Sequence, residues 1–71
     1  LTLDQLIVGK KAVIKAVSEN DISPKLMDMG LYPGKVIQMV FKAPFGDPLA
    51  VDVEGYTLSL RKKEASLVEL A

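Results

Sequence analysis

Cysteine, histidine and tryptophan are all missing from this 71-residue chain, and each absence closes off a kind of chemistry. Without cysteine there is no disulfide and no thiolate-built zinc site to supplement a small core. Without histidine the usual general base and the commonest metal ligand are gone, which removes most enzyme classes. Ser18, Ser23, Ser59 and Ser66 therefore have no imidazole to activate them, and no Gly-x-Ser-x-Gly elbow surrounds any of them, so they read as caps and strand surface. Nor is there an excess of either charge: nine Lys plus Arg face nine Asp plus Glu. The positive field that phosphate binding demands is lacking, and nucleic acid is not an expected partner. No apolar run approaches the roughly 18 residues that span a bilayer, and no charged-then-apolar leader opens the chain. The expectation is a cytoplasmic protein without direct membrane insertion, and the absence of cysteine is compatible with that compartment.

What is present is a dense set of short apolar segments. Apolar residues make up 49% of the chain and charged residues 25%, a balance that leaves some apolar surface over once a small core is filled. Turn residues cut the sequence at Gly9, Ser18 to Asp21, Gly30, Pro33-Gly34, Pro44 to Pro48 and Gly55. Between them, Ala12 to Val17, Lys35 to Lys42, Leu49 to Val53, Tyr56 to Arg61 and Ser66 to Leu70 read as strands. Alternation is clearest where Leu49, Val51 and Val53, and then Tyr56, Leu58 and Leu60, fall on one face, which should be the core face. By this pattern Tyr56 is a core residue, and Phe41 shares a face with Ile37 and Met39. Glu54-Gly55 fits a tight hairpin turn.

One segment, Pro24 to Met29, reads as a helix of one or two turns. Ser23 is placed to cap it, Pro24 fits its first position, and Gly30 suits the left-handed exit. Ile22, Leu26 and Met29 give the buried stripe, with Leu31 beneath the exit and Met27 off the stripe. Lys62 to Ala65 is expected to form a short turn of helix. The fold class is thus mainly β: residues 1–71 as a single domain, a small five-stranded antiparallel SH3-like barrel with one short α-helix between the first two strands.

Few residues invite a functional reading. Asp52 and Glu54 share a strand face, yet oxygen ligands for a cation usually come from an acidic loop, so a solvated face is the expectation. The glycines are scattered and form no phosphate cradle. Arg61-Lys62-Lys63 reads as a solvated rim. No catalytic residue, metal site or cofactor is expected. Val36 and Val40, however, lie on the face of their strand opposite Ile37 and Met39. One sheet of this size cannot easily cover both sides, so the outer strip is either covered by loop residues or shown to a partner. Met27, a flexible side chain off the helical stripe, and Tyr32, beside Pro33, complete a candidate protein-binding set of Met27, Tyr32, Val36 and Val40.

The order Leu26-Met27-Asp28-Met29-Gly30-Leu31, Pro33-Gly34, Ala43-Pro44-Phe45-Gly46-Asp47-Pro48 and Gly55-Tyr56-Thr57-Leu58-Ser59-Leu60-Arg61 resembles the ferrous iron transport protein A (FeoA) family over nearly the whole chain. Gly30, Pro33, Gly34, Asp47, Pro48 and Gly55 are the turn positions that carry the likeness and define the fold. Val8, Pro24 and Glu54 depart from the family's usual pattern at the surface. The resemblance implies a small cytosolic accessory or regulatory protein of ferrous iron uptake. It would act by contact with a membrane GTPase iron permease, ferrous iron transport protein B, and would be neither channel nor GTPase itself. Self-association stays open. The alternative implied by a related domain is the excised C-terminal SH3-like regulatory domain of an iron-dependent transcriptional repressor.

Overall fold

Alternating apolar residues between turn formers produce five strands in the computed structural model, which describes residues Leu1 to Ala71. In chain order they are β1 (Lys11–Val17), β2 (Val36–Lys42), β3 (Leu49–Val53), β4 (Tyr56–Leu60) and β5 (Val68–Leu70). Helix α1 (Ser23–Asp28) lies between β1 and β2, and α2 (Lys62–Ala65) between β4 and β5. The strands form one antiparallel sheet in the order β4-β3-β2-β1-β5. A 3₁₀ turn at Leu3–Gln5 precedes them. Its Leu3 is completely buried, and the Lys42 ammonium donates to the Asp4 carbonyl at 2.9 Å. Three residues carry no periodicity, so this turn left no mark in the strand pattern.

Leu49, Val51 and Val53 point inward from β3 and meet Ile14, Ile37, Met39, Leu60, Val68 and Leu70 in one core. Leu26 and Leu31 enter it from α1 and its exit, both with no exposed surface. Truncating a buried leucine to alanine typically removes about 2–5 kcal/mol, against roughly 4–11 kcal/mol for a whole chain of this length. A core this small therefore has little redundancy. Ile22 and Met29 are half-buried, so the helix rests mainly on Leu26.

The exit of α1 is a Schellman closure: the Gly30 N–H donates to the Met27 carbonyl at 3.0 Å and the Leu31 N–H to the Leu26 carbonyl at 3.1 Å. Gly30 takes φ +99° to do so. At the other end the structure corrects the expected cap. Ile22 occupies the N-cap position and Ser23 the first helical one, with the Ser23 hydroxyl turned inward to donate to the Ser18 carbonyl. Nearly buried, that hydroxyl needs a partner more than the exposed amides of the first turn do, because water can satisfy the latter.

Two further expectations fail, one because a bulge resets the alternation and the other because parity alone does not bury a residue of an edge strand. The β2–β3 register runs Ile37 to Val53, Gln38 to Asp52 and Met39 to Val51, then shifts so that Phe41 faces Ala50. Val40 is the extra residue of this bulge, and alternation resets across it. Phe41 consequently lies on the outer face, 54% exposed. Tyr56 has the parity of the buried Leu60 but stands on the edge strand, across from the fully buried Val53, and lies at the margin of the core. Its ring lies over Gly30 and its hydroxyl donates to the Met29 carbonyl at 2.6 Å, leaving it 45% exposed.

A methyl group at Gly30 would overlap the Tyr56 hydroxyl and would also have to adopt positive φ. Gly30→Ala is expected to cost about 1–3 kcal/mol in urea denaturation. The cost should be smaller in a Tyr56→Phe background, where the overlapping oxygen is gone. Equal costs in the two backgrounds would mean that the ring does not constrain this turn.

Candidate docking surface

No three acidic residues come together closely enough to hold a metal ion, and the candidate acids serve local structure. Glu54 is in the β3–β4 turn at φ +47°, followed by Gly55 at φ +110°. Positive φ at both central residues is the type I′ geometry of two-residue hairpins. The Glu54 carboxylate accepts the Val36 N–H at 3.1 Å and pairs with the Lys35 ammonium at 3.3 Å. Asp52 stands on β3 between Gln38 and Thr57 of the neighbouring strands. At the basic triple, Asp47 forms an ion pair with Arg61, Nε to Oδ1 3.2 Å, and accepts the Lys62 backbone N–H at 3.0 Å. One carboxylate thus ties the end of the β2–β3 loop to the start of α2. The bond from Asp47 to Pro48 is cis.

Met27, Tyr32, Val36 and Val40 are all between 41% and 44% exposed, but they belong to two places. Tyr32 and Val36 flank the turn Tyr32-Pro33-Gly34-Lys35. This turn is closed by the Lys35 N–H on the Tyr32 carbonyl at 3.2 Å, with Gly34 at φ +95°, the pattern of a type II turn. The Lys35 ammonium lies 5.0 Å from the centre of the Tyr32 ring, within cation–π range. Directly across the β1–β2 ladder from Val36 is Val13, itself 42% exposed. Val40 continues the outer face of β2 to the bulge, where Phe41 joins it. Val13 and Phe41 were not in the sequence-derived set. Val13 had a readable signal, its parity opposite to Ile14, whereas Phe41 had none because only the bulge brings it outward.

Met27 lines a different feature, an open cleft of about 550 Å³ between the end of β1 and α1. Val17 and Pro24 share its apolar lining, while Glu19, Asn20 and Asp21 supply polar groups. Asn20 is committed to the local turn, its side-chain oxygen accepting the Ile22 N–H at 3.3 Å.

The electrostatics of the Tyr32–Val36 end are fixed by Tyr32, Lys35, Val36 and Glu54. The Tyr32 hydroxyl and the Glu54 carboxylate hold the Lys35 ammonium above the usual lysine range. The Val36 N–H, and after it Lys35, hold the Glu54 carboxyl below the usual carboxylate range. Both charged groups face water, so salt screens their attraction and the pair orders the surface more than it stabilises the fold.

Comparison with known proteins agrees with this architecture. The model of the FeoA domain matches residues 1–71. An Fe(2+) transport protein A/Fe(2+) transporter FeoB fusion protein of Porphyromonas gingivalis is 34% identical over 71 residues, covering 99% of this chain and 8% of that protein. The chain therefore spans less than a tenth of that relative's length. The solution structure of iron(II) transport protein A from Clostridium thermocellum superposes with a TM-score of 0.91 at 37% identity, covering 99% of this chain and 44% of that one. The zinc-complexed crystal structure of Stenotrophomonas maltophilia FeoA, described as an SH3-domain protein, superposes with a TM-score of 0.89 at 32% identity, covering 100% and 89%. IdeR of T. acidophilum shares the fold with a TM-score of 0.84 but only 23% identity, over 100% of this chain and 33% of that one. At that distance the likeness is one of fold alone.

Because its folded pKa is lowered, Glu54 contributes stability that is complete above the ordinary value of 4.5 and is lost as pH falls through the lower folded value. Glu54→Gln should therefore unfold at lower urea than the parent at neutral pH, with the two midpoints converging as the pH is lowered to about 2. A gap that persists into acid would show that the carboxylate's charge is not what holds Val36 and Lys35.

Proposed function

The chain belongs to the FeoA domain family, which ties it to ferrous iron transport, and on that premise we propose that it is a non-catalytic accessory protein docking on the membrane GTPase permease, ferrous iron transport protein B. The observation that carries the reading is the Porphyromonas gingivalis relative, in which a segment matching this whole chain is covalently part of an Fe(2+) transporter FeoB fusion. Fusion holds two partners at high effective concentration, an arrangement of use when their contact is weak and recurrent. The surface described above suits such a contact. Tyr32, Val36, Val13 and Val40 give an apolar strip, and Lys35 and Glu54 give it a charged margin, an arrangement of apolar centre and polar rim common to protein interfaces. No helix is long and apolar enough to cross a membrane, so on this reading transport belongs to the permease. Iron is its cargo and not a ligand of this chain, which has neither histidine nor cysteine and keeps its carboxylates apart.

Titrating the chain with the cytosolic part of the permease, with and without guanine nucleotide, tests the reading, and an anaerobic titration with ferrous ion is its companion. Binding to the permease is expected, with ferrous ion held no better than by ordinary surface carboxylates. Tyr32→Ala or Val36→Ala should weaken docking by roughly 1–2 kcal/mol, and Val40→Ala should weaken it less. Met27→Ala asks separately whether the β1–α1 cleft takes part. Absence of permease binding in every nucleotide state, or stoichiometric micromolar iron binding, would overturn the proposal. Undiminished binding by all four variants would move the docking face elsewhere.

A further inference from the structure

The outer face of the sheet carries its charge unevenly. On β1, Lys11, Val13 and Lys15 alternate with Ala12 and the buried Ile14, and all three are exposed. From β1 to β4 the register runs Lys11, Gln38, Asp52, Thr57, and Val13 faces Val36 two residues along. No carboxylate pairs with Lys11 or Lys15. The ion pairs of the chain are Lys35 with Glu54 and Arg61 with Asp47. Glu69, half-buried on β5 opposite Ala16, pairs with neither lysine of β1, and Glu54 is engaged by the Val36 N–H and Lys35.

Lysine on a sheet surface has two ordinary roles, and neither applies here. One is to protect an edge strand, but β1 lies between β2 and β5. The other is to pair with a carboxylate across the ladder, but Lys11 faces Gln38, whose side-chain N–H donates to the Gly9 carbonyl at 3.2 Å. Two unneutralised cations therefore flank Val13, on one side of the apolar strip only. Two strand spacings away, roughly 10 Å, the other margin carries Asp52, also without an ion pair.

We propose that the β1–β2 face binds an acidic segment of the permease, whose apolar side chains cover Val13, Val36 and Val40 and whose carboxylates meet Lys11 and Lys15. This rests on the docking reading above and adds to it the chemistry of the segment that docks. Charge complementarity selects this occupant over two others. A bilayer surface rich in anionic lipid presents one sign everywhere, and would press like charge against Asp52 in the same face. A second copy offers one free carboxylate of this face, Asp52, for two lysines, so a face-to-face pair leaves a cation of each copy unmatched. A polypeptide can place acids on one side of an apolar row and none on the other. The opposed margins of the face then fix which way round it lies.

Calorimetric titration of the chain with the cytosolic part of the permease, at sodium chloride between about 0.05 and 0.5 M, tests the proposal. Binding of the parent should weaken as salt rises, and Lys11→Glu and Lys15→Glu should each raise the dissociation constant about tenfold at low salt. Lys11→Arg and Lys15→Arg should bind as the parent does. So should Lys63→Glu, which makes the same change of net charge on α2. The salt series on the parent needs no variant, so it reads the proposal even if a substitution disturbs β1. Permease binding that is indifferent to salt, that neither reversal weakens, or that Lys63→Glu weakens as much, overturns the proposal and leaves docking standing. No binding by the parent at any salt concentration or in any nucleotide state removes the docking reading and this proposal with it. Cosedimentation of the chain with phosphatidylserine vesicles, and sedimentation velocity of the chain alone, cover the other occupants. Association with the vesicles or with a second copy that Lys11→Glu abolishes would assign the face to that occupant and overturn the proposal.

Discussion

Where α1 ends, the backbone must reverse beneath an aromatic ring, and much of the remaining geometry follows from that turn. Gly30 allows Leu31 to reach back to Leu26, so both leucines enter the core together. The absence of a side chain there leaves room for Tyr56, whose hydroxyl holds the Met29 carbonyl. The hairpin end of β4 is thereby tied to the helix that interrupts the first two strands. Leaving the turn, the chain runs directly into Tyr32-Pro33-Gly34-Lys35 and then β2, so the apolar strip and its charged margin take their position from the same closure. A helix of six residues is too short to hold itself in water. It is stable here because its two ends are fixed, one by the Ser23 hydroxyl and the other by this turn.

Features that depend on local chemistry or on strict period two were legible in the sequence. Leu49, Val51 and Val53 alternate without interruption and are all buried, and the helix, its exit and the β3–β4 turn are each set by two or three adjacent residues. The misreadings come from context that adjacent residues do not carry. Val40 looks like any other member of a β2 strand until β3 is placed opposite it, and the bulge then turns Phe41 outward. Tyr56 has core parity but stands on the edge strand at the margin of the core, where its phenol reaches a carbonyl. Ser23 is a good cap by type, but burial gave its hydroxyl a stronger demand.

The candidate surface was legible in composition more than in place. An excess of apolar residues and a strand apolar on both faces pointed to exposed side chains, and Met27, Tyr32, Val36 and Val40 are exposed. That Val13 extends the strip from β1 follows from a long-range register, and that Met27 belongs to a separate cleft follows from where α1 packs. Pairwise placement of this kind is set by the sheet as a whole. The charged margin is similar: Lys35 and Glu54 are 19 residues apart and meet only because the β3–β4 hairpin returns to the start of β2.

The pairing of β1 with β5 has a kinetic consequence. Ile14 lies opposite Leu70, and Val17 opposite Val68, so contacts near the centre of the core join residues from opposite ends of the sequence. Closing such long loops costs entropy before any burial compensates for it. Folding of a β-rich domain with these distant contacts belongs to the millisecond-to-second range, well behind helical proteins of equal size. During synthesis, Ile14 and Ile37 emerge long before Val68 and Leu70 are available to cover them. The nascent chain must therefore carry an uncovered apolar sheet until its last strand is made, an interval in which its encounters with other chains are least controlled.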